Sequence, residues 1–156
     1  FIDKDLSMKE YLSEIISSFK EISQKKFIFN HDQFSNQKKI TKSIEIVYGL
    51  RNFIGNANKF SKETIHITLK SDSEITEITI EDDGNGYSKD VLSKIGEPYL
   101  RTKDPIDKSK AGLGLGLFIG KTLLEKNFAS VNCRNSKTRG GAEVIIKWNN
   151  NDLFNI

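Results

Sequence analysis

The sequence predicts an α+β fold, a two-layer sandwich in which a mixed, mostly antiparallel sheet carries its helices on one face. Three observations predict it. Two long segments place apolar residues at helical spacing, several shorter segments alternate apolar with polar residues as strands do, and a length of 156 residues suits one domain. Residues 7–24 carry Leu12, Ile15, Ile16, Phe19 and Ile22 at helical spacing behind Ser7, a capping residue type, and form the first helix. A short strand over 26–31 and a loop over 31–39 follow. Ile40, Ile44, Val47, Ile54 and Ala57 recur at steps of three, four or seven, which predicts a long helix over about 41–60. Ile65, Ile67 and Leu69 alternate with polar partners, as do Thr76, Ile78 and Ile80, giving two strands with a hairpin turn at 70–73. The stretch 83–116 holds most of the glycines and both prolines and reads as largely loop. A helix at roughly 115–127 precedes strands at 130–135 and 142–148, joined by a turn at 139–141. The asparagine-rich end, 149–155, reads as a frayed tail, so one domain over 1–149 is followed by a tail over 150–156.

Composition narrows the function. Hydrophobic residues make up 37% of the chain and charged residues 29%, enough for a core and too apolar for a disordered chain. The net charge of +3 is small and its charges are interspersed, which argues against nucleic acid as a partner. A single cysteine, Cys133, excludes a disulfide scaffold and points to a reducing compartment; its strand parity with Val131 makes it a small core residue without a redox role. No apolar run approaches the roughly 20 residues that span a bilayer. The chain begins at Phe1 rather than Met and is read as a piece of something longer.

Three motifs carry chemistry. In IEDDGNGYS, Asp82 shares the parity of Ile78 and Ile80, so its carboxylate points towards the core, and a buried carboxylate needs a donor. A ligand with an exocyclic amino group, such as adenine, would supply one; a tight turn with a capping aspartate is the plainer alternative. Gly84 and Gly86 let the backbone turn and approach whatever sits there. In YGLRNFIGNANKFS, Asn52, Asn56 and Lys59 line one helical face. An amide oxygen can coordinate Mg²⁺ and a lysine can meet a phosphate, although a solvated polar face would look the same. In AGLGLGLFIGKTLLEK, Gly112, Gly114 and Gly116 alternate with leucines and open into a helix, whose free N–H groups suit a phosphate. The spacing is neither the dinucleotide fingerprint nor a P-loop.

Taken in order, YGLRNFIGNANKFS, IEDDGNGYS, GEPYLRTK, GLGLGLFIGKTLLEK and a late Gly140–Gly141 pair resemble the catalytic and ATP-binding domain of sensor histidine kinases, the Bergerat-fold (GHKL) family shared with gyrase B, Hsp90 and MutL. The likeness runs from about Leu6 to Trp148 and is strongest to the RegB/PrrB branch. It implies that Asn56 ligates Mg²⁺, Asn52 assists at phosphate or metal, Lys59 contacts phosphate and Phe60 flanks adenine. Asp82 would accept from the adenine amino group within a pocket shaped by Gly84 and Gly86. Tyr99 and Arg101, in the box over 96–103, would contact nucleotide under a lid over 97–113. Gly112, Leu113, Gly114, Leu115, Gly116 and Leu117 would wrap the phosphates, and Gly141 would lie near the adenine.

The same likeness implies an activity and partners. Hydrolysing relatives place a glutamate where Asn52 stands, and an amide cannot act as a general base. ATP would then be kept for a histidine on a separate dimerisation hairpin, with a response regulator downstream. Neither His31 nor His66 sits in an H-E-x-x-x-P-like helix, so the phosphoacceptor is expected elsewhere and this piece should not phosphorylate itself. The expectation is a monomeric cytoplasmic domain from a homodimeric parent anchored in the inner membrane. The alternatives are a serine kinase or ATPase of another GHKL subfamily, and a non-catalytic docking module that retains the fold.

Overall fold

The computed structural model describes residues 5–32, 38–41, 44–95 and 108–154, except the side chains of 108–115. Its first strand, β1 (Leu6–Ser7), leads directly into α1 (Met8–Lys20). Ser7 starts that helix with a full capping box: its hydroxyl accepts from the Glu10 N–H at 3.3 Å, and the Glu10 carboxylate accepts from the Ser7 N–H at 3.1 Å. Two N–H groups that a helix start leaves unpaired are satisfied in this way. The helix stops at Lys20, and Ile22 beyond it is 80% exposed, so the expected apolar stripe ends one turn early.

β2 (Lys26–His31) follows, then β3 (Lys39–Ile40), which lies at the end of the stretch expected to be loop and pairs with β1 as a small antiparallel ribbon. The long helix is α2 (Ile44–Phe60), and β4 (Thr64–Ser71) and β5 (Ile75–Asp82) form the expected hairpin. α3 (Lys89–Ile95) and α4 (Lys108–Lys126) come next, then β6 (Ser130–Asn135), β7 (Ala142–Asn149) and α5 (Asn150–Leu153).

The main sheet has five strands in the order β2-β4-β5-β7-β6. β2 runs parallel to β4, and the other neighbours are antiparallel, so the sheet is mixed and mostly antiparallel as expected. Alternation sends Ile65, Ile67, Leu69, Ile78, Ile80, Val144, Ile146 and Trp148 to the face that meets the helices. Burying an isoleucine or leucine fully contributes on the order of 2 kcal/mol relative to exposure, and this face is where most of the core forms. From α2 come Ile46, Val47, Leu50, Phe53, Ile54 and Ala57; Ile44, assigned to the same stripe by sequence spacing, is instead 50% exposed. The indole N–H of Trp148 donates to the Asn127 carbonyl at 3.0 Å, so this large core residue leaves no polar atom stranded.

Two expectations need correction. The stretch read as loop contains α3, whose start is capped by Ser88 accepting from the Val91 N–H at 3.2 Å. α4 then begins at Lys108, so Gly112, Gly114 and Gly116 lie inside a helix rather than in a turn ahead of it. Each glycine costs about 1 kcal/mol against alanine there. Packing offsets that cost further along: Gly120 brings α4 against Phe53, Leu124 packs over Gly49 of α2, and Lys126 bonds Glu45 at 3.2 Å. The second correction concerns the end of the chain. Asn150 is buried, its side chain accepts from Thr76 Oγ1 and donates to the Asp72 carbonyl, each at 2.7 Å, and Leu153 is fully buried. The segment 150–153 is therefore docked on the sheet, not frayed.

α4 closes with the Ala129 N–H bonded to the Leu124 carbonyl and the Phe128 N–H to that of Glu125. Phe128 takes φ 71°, the left-handed region, while 61% exposed. No helix among the described residues is long and apolar enough to cross a membrane.

Candidate functional site

The site forms where the C-terminal end of α2 meets the ends of β5 and β7, and two side chains fix that junction. Asp83 accepts from the N–H of Lys62 at 2.8 Å, Glu63 at 3.1 Å and Thr64 at 3.2 Å, the residues that follow α2. Burial alone would raise its carboxyl, but these backbone donors outweigh it and hold the group below its usual range. Lys25 caps the carbonyl end of the same helix, donating to Asn58 O at 2.9 Å and to both oxygens of Ser61. The end of α2 is thereby tied to the end of β5.

Asp82 is 4% exposed, as its parity with Ile78 and Ile80 predicted. Its Oδ1 accepts from the Gly84 N–H at 2.8 Å and the Ala142 N–H at 3.2 Å. Burial dominates over these two bonds and pushes the carboxyl above its usual range. The backbone must come unusually close on two sides. A Cβ on Gly84 would sit 2.2 Å from the Phe60 carbonyl oxygen, and one on Gly141 would sit 2.2 Å from Asp82 O and 2.3 Å from its Oδ1. Glycine at both positions is a packing requirement.

Asp82 opens into a cavity of about 90 Å³ lined by Phe53, Asn56, Ala57, Phe60, Ile80, Asn85, Gly86, Tyr87, Ala142 and Val144. Typical ligand pockets hold roughly 300–1,000 Å³, so this volume suits a flat ring system rather than a whole nucleotide. One wall is aromatic and aliphatic, and the polar groups are few, which is the make-up of a small-molecule pocket. Asn56 contributes a buried Nδ2 that finds no partner among the described residues. That Nδ2 is a hydrogen-bond donor, and the Oδ1 of the same amide is the atom of a type that can ligate a hard cation. Among the described residues no cluster of three acidic, histidine or cysteine side chains could hold a metal alone. A single amide oxygen is compatible in type with Mg²⁺, which commonly takes one or two protein oxygens and completes its shell with phosphate and water.

Half of the residues expected from sequence gather here. Asn56, Phe60, Asp82 and Gly86 line the cavity, Gly84 and Gly141 pack on Asp82, and Gly116 of α4 faces the Asn56 amide, 3.5 Å from where its Cβ would be. Lys59 is close by, with its ammonium 5.2 Å above the Phe60 ring. Asn52 is not in the cavity: one turn back along α2, its Nδ2 donates to the Tyr48 carbonyl at 2.9 Å. Leu117 is fully buried and belongs to the core, so its side chain cannot wrap a phosphate. Gly112, Leu113, Gly114 and Leu115 are placed by their backbone in α4 alone, and Tyr99 and Arg101 lie outside the described residues.

Sequence reading missed Asp83, Lys25, Asn85 and Tyr87. Tyr87 is buried against the cavity, and burial first, then Cys133 beside its hydroxyl, pushes its phenol far above the usual range. Burial likewise pushes the Cys133 thiol up to about 11, which leaves it protonated and unreactive at neutral pH. The D-D pair before Gly84 was the available signal for Asp83. His66 sits on the outer face of β4 and His31 ends β2, so both lie on strands rather than on a helix.

Residues 41–151 match the family described as histidine kinase-, DNA gyrase B-, and HSP90-like ATPase. The chain is 36% identical over 127 residues to sensor histidine kinase RegB of Cereibacter sphaeroides, covering 72% of this chain and 28% of that protein. It is 32% identical over 97 residues to sensor histidine kinase CpxA of Escherichia coli K12, covering 62% and 21%. The chain thus spans less than a third of the length of these relatives. In three dimensions it resembles the catalytic domain of histidine kinase ThkA with a TM-score of 0.72 at 21% identity, over 94% of this chain and 96% of the other. Full-length ShkA in complex with AMPPNP resembles it with a TM-score of 0.70 at 19% identity, over 93% and 30%.

Proposed function

The chain belongs to the histidine kinase-, DNA gyrase B- and HSP90-like ATPase family, as the domain found in sensor histidine kinases, and we propose that it binds Mg·ATP and presents the γ-phosphate to a histidine on a separate dimerisation hairpin. One observation carries this reading: a buried carboxylate, Asp82, and a buried amide without a partner, Asn56, open onto one ring-sized cavity. The structural likeness to ShkA, which was solved with AMPPNP, supports the choice of ligand.

Each residue has a task that follows from its place. Asp82, fixed by Gly84 and Ala142 through one oxygen, keeps the other as acceptor for an exocyclic amino group, which favours adenine over a base that offers an acceptor there. Phe60 supplies a flat apolar side to the base. Asn56 faces α4 at Gly116, where the phosphates would lie, and would hold Mg²⁺. Held there, the ion would supply charge neutralisation for the phosphates. Lys59, exposed at the rim, adds a mobile positive charge for the same oxygens. Asn52 stands where a hydrolysing relative would need a base. Its amide takes no proton at neutral pH and is engaged with Tyr48, so water is not activated and the γ-phosphate persists for transfer. In the parent protein the acceptor hairpin, a dimer partner and a response regulator would complete the phosphorelay. That parent is proposed to hold this domain in the cytoplasm beneath an inner-membrane anchor.

Calorimetric titration with an ATP analogue tests the reading. Asp82→Asn should remove most of the affinity, because the amide offers a donor where an acceptor is needed. Asn56→Ala should keep adenosine binding and lose its enhancement by Mg²⁺. Unchanged binding by Asp82→Asn would show that the base is read elsewhere.

A further inference from the structure

Asn135 closes β6, outside every motif discussed so far, and both of its polar atoms go to one residue of the cavity wall. Its Oδ1 accepts from the Tyr87 N–H at 2.6 Å, and its Nδ2 donates to the Tyr87 carbonyl at 3.1 Å. This is the pairing that a neighbouring strand's peptide would make, supplied by a side chain. The same Oδ1 lies 2.7 Å from where a Cβ on Gly86 would stand, and Gly86 has φ +78°. The amide therefore fills the notch that the left-handed turn leaves open. Two residues earlier on the same face of β6, Cys133 meets the Tyr87 hydroxyl. Asn85, Gly86 and Tyr87 all line the cavity. The near end of their loop is pinned by Asp82 through the Gly84 N–H, and its far end by Asn135.

We infer that Asn135 is a positioning residue of the cavity: by holding Tyr87 and Gly86 it sets the shape of the wall that a purine ring meets, without touching the ring. The inference rests on the reading of the cavity as a nucleotide site. It gives β6, an edge strand of the sheet, a part in base binding. Asn135 is exposed, so replacing it removes no core packing and the effect of the clamp can be isolated.

The test uses the full 156-residue chain and two variants. Asn135→Leu keeps the approximate volume and loses both bonds; Asn135→Asp keeps the acceptor and loses the donor. ADP without metal, and ATP with and without Mg²⁺, are titrated by calorimetry, and melting is followed separately. Asn135→Leu should bind ADP about tenfold more weakly and Asn135→Asp about threefold. The gain in ATP affinity on adding Mg²⁺ should stay at its wild-type ratio, since the proposed metal ligand is on α2, and the melting temperature should fall by no more than about 8 °C, as expected for the loss of two part-exposed bonds. Wild-type ADP affinity in Asn135→Leu, or loss of the Mg²⁺ ratio along with the affinity, overturns the positioning role; the second outcome would mean general loosening. If Asn135→Leu does not fold, Asn135→Asp decides, and wild-type affinity there overturns the role equally. If the unsubstituted chain binds no adenine nucleotide, the nucleotide reading itself falls and takes this inference with it.

Discussion

Replacing Asp83 by alanine should separate the two elements that carry the site. Three backbone donors, on Lys62, Glu63 and Thr64, would lose their acceptor. A charge-assisted bond contributes as much as roughly 1.5–3 kcal/mol when buried, but water reaches this half-exposed turn and can replace the carboxylate, so about 0.5–1 kcal/mol each is the apt figure. The sum is about 1.5–3 kcal/mol, a drop in melting temperature of roughly 3–12 °C for a chain of this size. Urea titration at pH 7 should show the midpoint falling with an unchanged slope, because the same surface is exposed on unfolding. The pH dependence has a definite sign. The Asp83 carboxyl is held below its ordinary value of 3.8, so its contribution is fully present above that pH. It is lost as the pH falls through the lowered folded value, and the gap between wild type and variant should close there. A stability difference under about 0.5 kcal/mol at pH 7, or a gap that persists undiminished in acid, would refute the clamp.

Three further outcomes follow from the geometry. Gly141→Ala should destabilise by at least about 2 kcal/mol and abolish nucleotide binding, since its Cβ would strike Asp82; Gly140→Ala has open space around it but φ +81°, so about 1 kcal/mol of strain with affinity intact is expected, both read by denaturant titration and calorimetry. Phe128→Gly should stabilise the chain by about 0.5–1 kcal/mol, because left-handed strain is relieved and an exposed ring contributes little packing; an unchanged or lowered melting temperature would show that the ring is held by contacts. Cys133, with its thiol at about 11, should resist iodoacetamide in the folded protein at pH 7.5 and react rapidly once denatured; fast alkylation of the folded chain would contradict its burial against Tyr87.

The parts of this molecule that were legible in its sequence are those where a side chain's role is decided within its own element. The inward carboxylate of Asp82 follows from period-two alternation with Ile78 and Ile80; of Asn52, Asn56 and Lys59, which helical spacing puts on one face, Asn56 lines the cavity. What stayed hidden depends on partners distant in sequence. Nothing local tells that Asn135 faces Tyr87, or that Asn150 sits under Thr76, because strand pairing across the sheet brings them together. The glycines of α4 misled for the opposite reason. They carry a strong local signal for a turn, yet Gly120 and Leu124 dock the helix on α2 strongly enough that the helical backbone runs through Gly112–Gly116. Leu117 was assigned to phosphate contact by its place in that repeat, whereas the helix turns it into the core.

The stranded Nδ2 of Asn56 has an evolutionary corollary. Burial of a polar group without a partner costs on the order of 1–3 kcal/mol, so Asn56 carries a local penalty that an apolar residue of similar size would erase. Selection for thermal robustness alone would push this position towards leucine, and a variant library screened by heat should enrich that change while losing its response to magnesium. An asparagine at this position therefore sets stability against binding: the polar amide that costs the fold is the group that the proposed ligand would use.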